Sequence, residues 1–285
     1  MYQKKFTNAN GGNKSQSDAN RAKQRVSQVY GTQALKMVSD DDVIFVNVEG
    51  VPAVDNFDSL SDQMQSLWGC MASSVAAEGE TPREAYAHAG SVAEFARVAC
   101  ISVGVIRYRA GEREPYFVTQ TYEADVERDM LADFVQMVDN FIGQGSQIRF
   151  LCAHGIRRGA LPFLAKRLII NDVELPIVFD PEGRKPVGYN IIDTADFWTM
   201  GDVNAKRVPT ELMANVLGID AQPEDYNDAE AAKLYKNYCL EELIQRSERK
   251  LLVNAQIARR LRGYGVISPD HVIGKKRTEA QDDYE

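Results

Sequence analysis

Three short stretches of the sequence combine polar or charged side chains with the ends of predicted secondary-structure elements. The first ends an apolar run and holds Asn47 and Glu49, whose side chains share one face because strand residues alternate. The second, 154–162, contains two adjacent arginines. The third pairs Tyr238 with Glu242, which are four residues apart and therefore lie on one face of a predicted helix. Carboxylates suit hard cations and guanidinium groups suit phosphate, so these stretches are where metal or phosphate chemistry could take place.

Hydrophobic periodicity predicts the elements that must position these residues. Short apolar runs predict strands at 43–48, 98–108 and 148–152, and an alternating run predicts a paired strand at 116–122. Thr81, followed by Pro82 and Glu84, gives a capping signal for a helix that runs to about Phe95. Apolar residues at helical spacing predict further helices at 124–142, 161–170, 210–217 and 228–261. The mixed order of strands and helices predicts an α/β sheet with an antiparallel edge.

The charge distribution divides the 285-residue chain into an arm and a body. The net charge is −8, but 1–38 carries seven basic residues and one acidic residue, a net of +6, which leaves −14 for the other 247 residues. We predict that 1–38 is a basic, mostly disordered arm that serves either to solubilise the protein or to tether it to a phosphate backbone. The order of the predicted strands and helices gives one domain at 40–262, followed by a C-terminal tail at 263–285.

Composition also sets expectations about the compartment. The sequence has no run of 18 apolar residues and no signal-peptide pattern at its start, which predicts a cytoplasmic protein without a membrane partner. Four widely spaced cysteines fit neither a disulfide framework nor a zinc site. The overall acidity argues against a generally adhesive nucleic-acid binder, although the basic arm qualifies that argument.

From about residue 43 to 255 the chain resembles the stand-alone predicted 3′-5′ exonuclease family that is related to the exonuclease domain of family B DNA polymerases. The resemblance extends over many segments. They are Phe57–Ser61, Thr81–Tyr86, Ala93–Phe95, Cys100–Gly104, Leu151–His154, Leu161–Asn171, Glu174–Pro176, Gly183–Pro186 and Asp193–Asp202. The resemblance implies a ribonuclease-H-like fold, which is a mixed five-stranded sheet flanked by helices.

The chemistry that the resemblance implies is hydrolysis at a DNA 3′ end by two divalent metals. Four carboxylates would hold two Mg²⁺ or Mn²⁺ ions, which generate hydroxide and stabilise charge on the scissile phosphate. A tyrosine near the last carboxylate would help to place the attacking water. The cofactors implied are therefore Mg²⁺ or Mn²⁺, and the partner implied is single-stranded DNA or a 3′ end.

The sequence departs from the family pattern at three of the four carboxylate positions. Asn47 and Ala160 each stand where the family has an aspartate, and Glu242 is a longer carboxylate in place of a third. Glu49 and Tyr238 are retained. Loss of anionic ligands weakens metal binding, and a misplacement near 1 Å costs about 10²-fold in rate. We therefore predict a pseudo-nuclease in which Glu49, Tyr238 and Glu242 keep at most residual catalytic roles. Metal binding at Glu49 and Glu242 should be weak or lost, and whether this chain binds any metal stays open.

Four basic residues after the fourth predicted strand are candidates for nucleic-acid binding. Arg157, Arg158, Lys166 and Arg167 could hold phosphate groups, or they could form a solvated helix face. Three functions stay open: a family protein that acts on or binds nucleic-acid 3′ ends, a non-catalytic module that binds nucleic acid or a replication or recombination protein, and an assembly protein, for example of a phage, that keeps only the fold.

Overall fold

A computed structural model describes residues 35–143, 148–176, 178–179, 190–202 and 204–274. The predicted arm at 1–38 therefore lies almost entirely outside the described residues, as does 275–285 of the predicted tail. Within the described ranges, no helix has both the length and the apolar character that crossing a bilayer requires.

The described residues form six strands and eight α-helices. The strands are β1 (Val43–Pro52), β2 (Ala96–Arg107), β3 (Tyr116–Tyr122), β4 (Phe150–Ala153), β5 (Ile191–Asp193) and β6 (Val272–Gly274). The helices are α1 (Asp62–Met71), α2 (Pro82–Ala85), α3 (Glu127–Gly143), α4 (Ala160–Ile170), α5 (Thr194–Trp198), α6 (Thr210–Val216), α7 (Asp228–Lys236) and α8 (Leu240–Leu261). Short 3-10 turns link several of them, including Tyr86–Ser91 and Pro223–Tyr226.

The six strands form one mixed sheet in the order β5-β4-β1-β2-β3-β6. β2 is antiparallel to β1 and β3, whereas β4 is parallel to β1 and to β5. The predicted α/β class is confirmed, but the predicted antiparallel edge is wrong, because the antiparallel strand β2 lies inside the sheet and both edge strands, β5 and β6, pair in parallel with their neighbours. The sixth strand comes from the segment predicted to be a tail, because β6 pairs in parallel with β3 and extends the sheet at that edge.

The alternation of β1 assigns its two faces to different helices. Val43 and Phe45 belong to a core cluster shared with Leu251 and Ala255 of α8. Ile44 and Val46 belong to the opposite cluster, which contains residues of α3 and α4 such as Leu164. Because side chains two apart share a face, Asn47 and Glu49 are directed to the α8 side of the sheet.

The predicted helix at 228–261 is wrong in one respect that matters for the site, because it is two helices. α7 ends in a Schellman motif: the Cys239 amide donates to the Leu234 carbonyl (2.9 Å) and the Tyr238 amide donates to the Tyr235 carbonyl (3.1 Å). Tyr238 takes the left-handed position of that motif, with φ 58°. Tyr238 and Glu242 therefore do not belong to one continuous helix. The helix predicted from Thr81 is also shorter: the capping box is present, but α2 gives way to a 3-10 turn after Ala85.

Candidate functional site

A cleft of about 630 Å³ opens at the carboxyl ends of β1 and β4. Its walls come from β1, the 3-10 turn Tyr86–Ser91, the start of α4 and one face of α8. The end of β1 meets the 3-10 turn closely enough that a Cβ on Gly50 would lie 2.1 Å from the Gly90 carbonyl oxygen. Glycine at both positions allows this approach of two backbones, which brings the turn over the end of the strand.

Glu49 lies at the floor of this cleft and is paired with two cations. It is only 2% exposed. Its Oε1 accepts a hydrogen bond from the Asn47 amide nitrogen (2.9 Å) and lies 2.8 Å from the Lys250 ammonium. Its Oε2 lies 3.5 Å from Nε of Arg246, which is also buried. Oε1 therefore accepts a hydrogen bond and contacts an ammonium group, whereas Oε2 makes an ion-pair contact with a guanidinium whose Nε forms no hydrogen bond among the described residues.

The two cations come from α8 and were not singled out by the sequence. Arg246 and Lys250 are four residues apart, so they lie on one face of the helix, and that face packs against the end of β1. A signal was present in the sequence, since both interrupt a helical stripe that otherwise carries Leu243, Leu251 and Asn254 on its buried side. A basic residue on a buried helix face needs an anionic partner. Glu49 is about 200 positions earlier in the chain, so only the folded structure reveals the pair.

Neutral hydroxyl groups extend the polar floor away from Glu49. The Asn47 amide also donates to Ser247 Oγ (3.0 Å), and Ser102 Oγ donates to the same oxygen (2.8 Å). Ser102 is in turn 2.8 Å from Thr121 Oγ1. Asn47 thus spans Glu49 and Ser247 with its amide hydrogens, which an aspartate at that position could not donate.

Two further acidic groups of the cleft lie near the Glu49 cluster. Tyr226 and Asp228 line the cleft, and the Lys250 ammonium lies 5.7 Å from the centre of the Tyr226 ring. Burial raises the pKa of the Tyr226 hydroxyl, and burial also raises the pKa of Asp228, which the charge of Lys250 opposes. Sequence analysis did not identify either residue; Tyr226 ends the 3-10 turn Pro223–Tyr226, and Asp228 is the first residue of α7.

The structure brings together only some of the residues predicted to form the site. Asn47, Glu49 and Ala160 all line the cleft. Tyr238 is 95% exposed in the turn between α7 and α8, and Glu242 is an exposed residue of the first turn of α8. Neither Tyr238 nor Glu242 lines the cleft that holds Glu49. The physical reason is the left-handed residue at 238, which ends α7 and turns the chain before α8 begins.

The four basic residues predicted to bind nucleic acid differ in their surroundings. Arg167 is buried, and its Nε and Nη2 bind the two oxygens of Glu127 at 2.9 and 2.5 Å. Lys166 pairs with Glu94 (2.8 Å) at the cleft wall. Arg157 forms an ion pair with Asp196 (3.1 Å). Only Arg158 is exposed without a hydrogen bond or ion pair from its side chain within the described residues.

The turn after β4 is held by a buried carboxylate. Asp193 accepts hydrogen bonds from the Gly155 amide (2.6 Å) and the Arg157 amide (3.0 Å), and it caps α5 through the Ala195 amide. His154 next to it is bonded through both ring nitrogens, to the Thr194 hydroxyl (3.0 Å) and the Val208 carbonyl (3.2 Å). Burial lowers the pKa of His154, which favours the neutral ring. These contacts assign His154 a structural role in the turn.

The residues of the cleft do not fit the pair of divalent metals that the resemblance implies. Asn47 is neutral, Ala160 offers no donor, and Glu49 is already paired with Lys250 and Arg246. Over the part of the chain that the structure describes, no group of three or more His, Cys, Asp or Glu residues is arranged to hold a metal. A divalent cation at Glu49 would have to displace an ammonium group and remain beside a guanidinium, which charge repulsion opposes.

Comparison of the sequence with protein-family models gives no match. Comparison with curated proteins gives no significant match either.

Proposed function

We propose that this chain is a ribonuclease-H-like protein related to 3′-5′ exonucleases that binds a nucleic-acid strand and does not cut it. The single observation that carries the proposal is the buried contact of Glu49 with Lys250 and Arg246. In a two-metal nuclease, a carboxylate at this place serves a metal. Here protein cations take the position that the metals would need.

The sheet supports the proposed fold assignment. Strands β1 to β5 make a mixed five-stranded sheet, and β6 adds one strand at the β3 edge. Helices α3 and α4 cover one face and α8 covers the other. The resemblance implies a mixed five-stranded sheet flanked by helices, and a mixed sheet with helices on both faces supports the proposal at that coarser level.

The cleft supports strand binding in place of strand cutting. It is open at the surface and is lined by Arg158, Lys166, Arg207 and Lys250, together with the carboxylates Glu49, Glu94 and Asp228. Lys250 and Lys166 are neutralised by Glu49 and Glu94. Exposed positive charge therefore remains on the side of Arg158 and Arg207, where a phosphate backbone gains most from a contact.

The test is digestion of an end-labelled single-stranded DNA in Mn²⁺, with two restored variants. Both variants carry Asn47→Asp and Ala160→Asp; one adds Lys250→Asp and the other adds Glu242→Asp. The first removes a cation and supplies a carboxylate beside Glu49, so it should gain Mn²⁺ binding by calorimetry. The second alters an exposed residue, so it should gain much less.

The unmodified protein should leave the strand intact, and it should bind the strand in a chelator. Cleavage by the unmodified protein that disappears in Glu49→Gln would overturn the loss of catalysis, since Glu49→Gln excludes a contaminating nuclease. Absence of binding to both DNA and RNA strands would overturn the binding half of the proposal.

A further inference from the structure

Two arginines without ion partners project from the rim that separates the main cleft from a smaller one beside it. Arg158 lies in the turn after β4, and Arg207 lies in the segment before α6. Both line the main cleft, and both line the adjacent cleft of about 270 Å³. Among the described residues, neither side chain forms a hydrogen bond or an ion pair, and both are exposed.

Gly155 contacts the side chain of Arg207 and the backbone of Arg158. The Arg158 amide donates to the Gly155 carbonyl (3.2 Å), which fixes the start of one side chain. Gly155 has φ 70°, and a Cβ there would lie 1.3 Å from Nη2 of Arg207. The guanidinium of Arg207 therefore occupies the space that a side chain at 155 would fill. Asp193 holds this turn through the Gly155 amide, so the backbone against which Arg207 packs is fixed by a hydrogen bond.

Among the described residues, no carboxylate forms an ion pair with Arg158 or Arg207. Burial, together with the charge of Asp193, raises the pKa of Asp196, and the charges of Arg157, Arg158 and Arg207 oppose that rise; the ion pair of Asp196 is with Arg157. Asp202 also lines the smaller cleft, and its carboxylate accepts a hydrogen bond from the Asn204 amide. Asp193 is buried and is used by backbone amides. Two guanidinium forks thus remain available for an oxyanion from solvent, and a guanidinium fork matches phosphate oxygens in pairs.

The start of α4 adds to the positive potential. Gly159 precedes α4 and makes no side-chain capping bond, and Ala160 opens the helix at the cleft wall. A helix N-terminus carries partial positive charge. The alanine at 160 brings no negative charge to the start of this helix, so it does not repel a phosphate at the rim.

We propose that Arg158 and Arg207 form a phosphate-binding site on the rim of the cleft, and that its ligand is a phosphate group of a nucleic-acid strand. The identification of the ligand as a nucleic-acid strand rests on the proposed function, whereas the affinity of two arginines for phosphate does not depend on it. A free nucleotide or inorganic phosphate carries the same group, so the test must separate these sources.

The test measures binding of a fluorescent single-stranded DNA, and separately RNA, by polarisation in a chelator at several salt concentrations. The variant is Arg158→Ala with Arg207→Ala, and a second variant replaces both with lysine. The matched control is Arg113→Ala with Arg128→Ala, which removes the same charge from exposed arginines that line neither cleft. Thermal melting with inorganic phosphate or a mononucleotide forms a separate arm.

The alanine variant should bind the strand about tenfold more weakly or worse, because a hydrogen bond to a charged group contributes that much. Its salt slope should fall by about 0.7 for each phosphate that the removed arginines no longer neutralise. The lysine variant should be intermediate, because it keeps the charges and lacks the forks. The control should stay within about twofold, since its residues make no phosphate contact.

The outcomes distinguish failure of the phosphate site from failure of the proposed strand binding. If the unmodified protein binds strands and the alanine variant binds equally well, the site is wrong and strand binding stands. If the unmodified protein binds no strand, the proposed function fails. In that case, a rise in melting temperature with phosphate or a mononucleotide that needs both arginines would uphold the site, and no such rise would overturn it.

Discussion

Removing the charge of Glu49 should destabilise the protein far more than removing a similar charge at the surface of the same cleft. Glu49→Gln keeps the size of the side chain but leaves the buried Arg246 and the mostly buried Lys250 without their carboxylate. The side chains of Arg246 and Lys250 are 2% and 15% exposed. Breaking a buried ion pair by removing one partner costs about 3–5 kcal/mol. That loss is a large part of the roughly 5–15 kcal/mol stability of a typical domain.

The matched control is Glu94→Gln, which removes a carboxylate from the ion pair with Lys166. That pair has side chains 55% and 49% exposed, so solvent screens it and its loss should cost at most about 1 kcal/mol. The measurement is urea unfolding at neutral pH, followed by circular dichroism and fluorescence so that two-state behaviour is checked. The same experiment on Lys250→Met and on the Glu49→Gln, Lys250→Met double variant completes a cycle.

The double variant should lose about 1–3 kcal/mol less free energy of unfolding than the two single variants lose in sum, because it removes both members of one pair. The reasoning would be refuted if Glu49→Gln lost no more stability than Glu94→Gln. It would also be refuted if the cycle showed additive losses, since Glu49 and Lys250 would then not interact.

Three further predictions follow from the contacts. Tyr238→Gly should stabilise the protein by about 1 kcal/mol, because glycine relieves the left-handed backbone, and a fall in the thermal midpoint would contradict this. Arg167→Ala should cost about 3–5 kcal/mol in urea unfolding, whereas Arg158→Ala should change stability by less than about 0.5 kcal/mol, and equal losses would contradict the burial argument. Burial lowers the pKa of His154, so the stability that its neutral ring contributes is complete above about pH 6.5 and is lost as pH falls through the lowered folded-state pKa. His154→Gln should flatten this dependence of the unfolding free energy on pH, and an unchanged pH profile would refute the prediction.

Local sequence patterns predicted most of the elements because their causes are local. The apolar run at 43–48 forms the first part of β1, and the alternating run at 116–122 coincides with β3. The Thr81 capping box forms as predicted, since its atoms lie within four residues. Periodicity and capping depend on neighbours along the chain, so a single sequence contains the information they need.

The errors came from events that local patterns do not encode. The helical stripe at 228–261 continues through Tyr238, yet the chain takes a left-handed turn there and begins a new helix. β6 has three residues and pairs with a strand about 155 positions earlier, so its own sequence carries little signal. Arg167 reads as a surface cation, but the bidentate contact with Glu127 buries it.

The sequence by itself determined the α/β class and the position of Glu49 and Asn47 at the end of a central strand. Only the tertiary structure decided which charged groups surround them. It places Lys250 and Arg246 on Glu49, and it places Arg158 and Arg207 on the walls of the same two clefts. The physical reason is that electrostatic pairing depends on distance in space, and packing α8 against β1 brings together charges that lie about 200 residues apart in sequence.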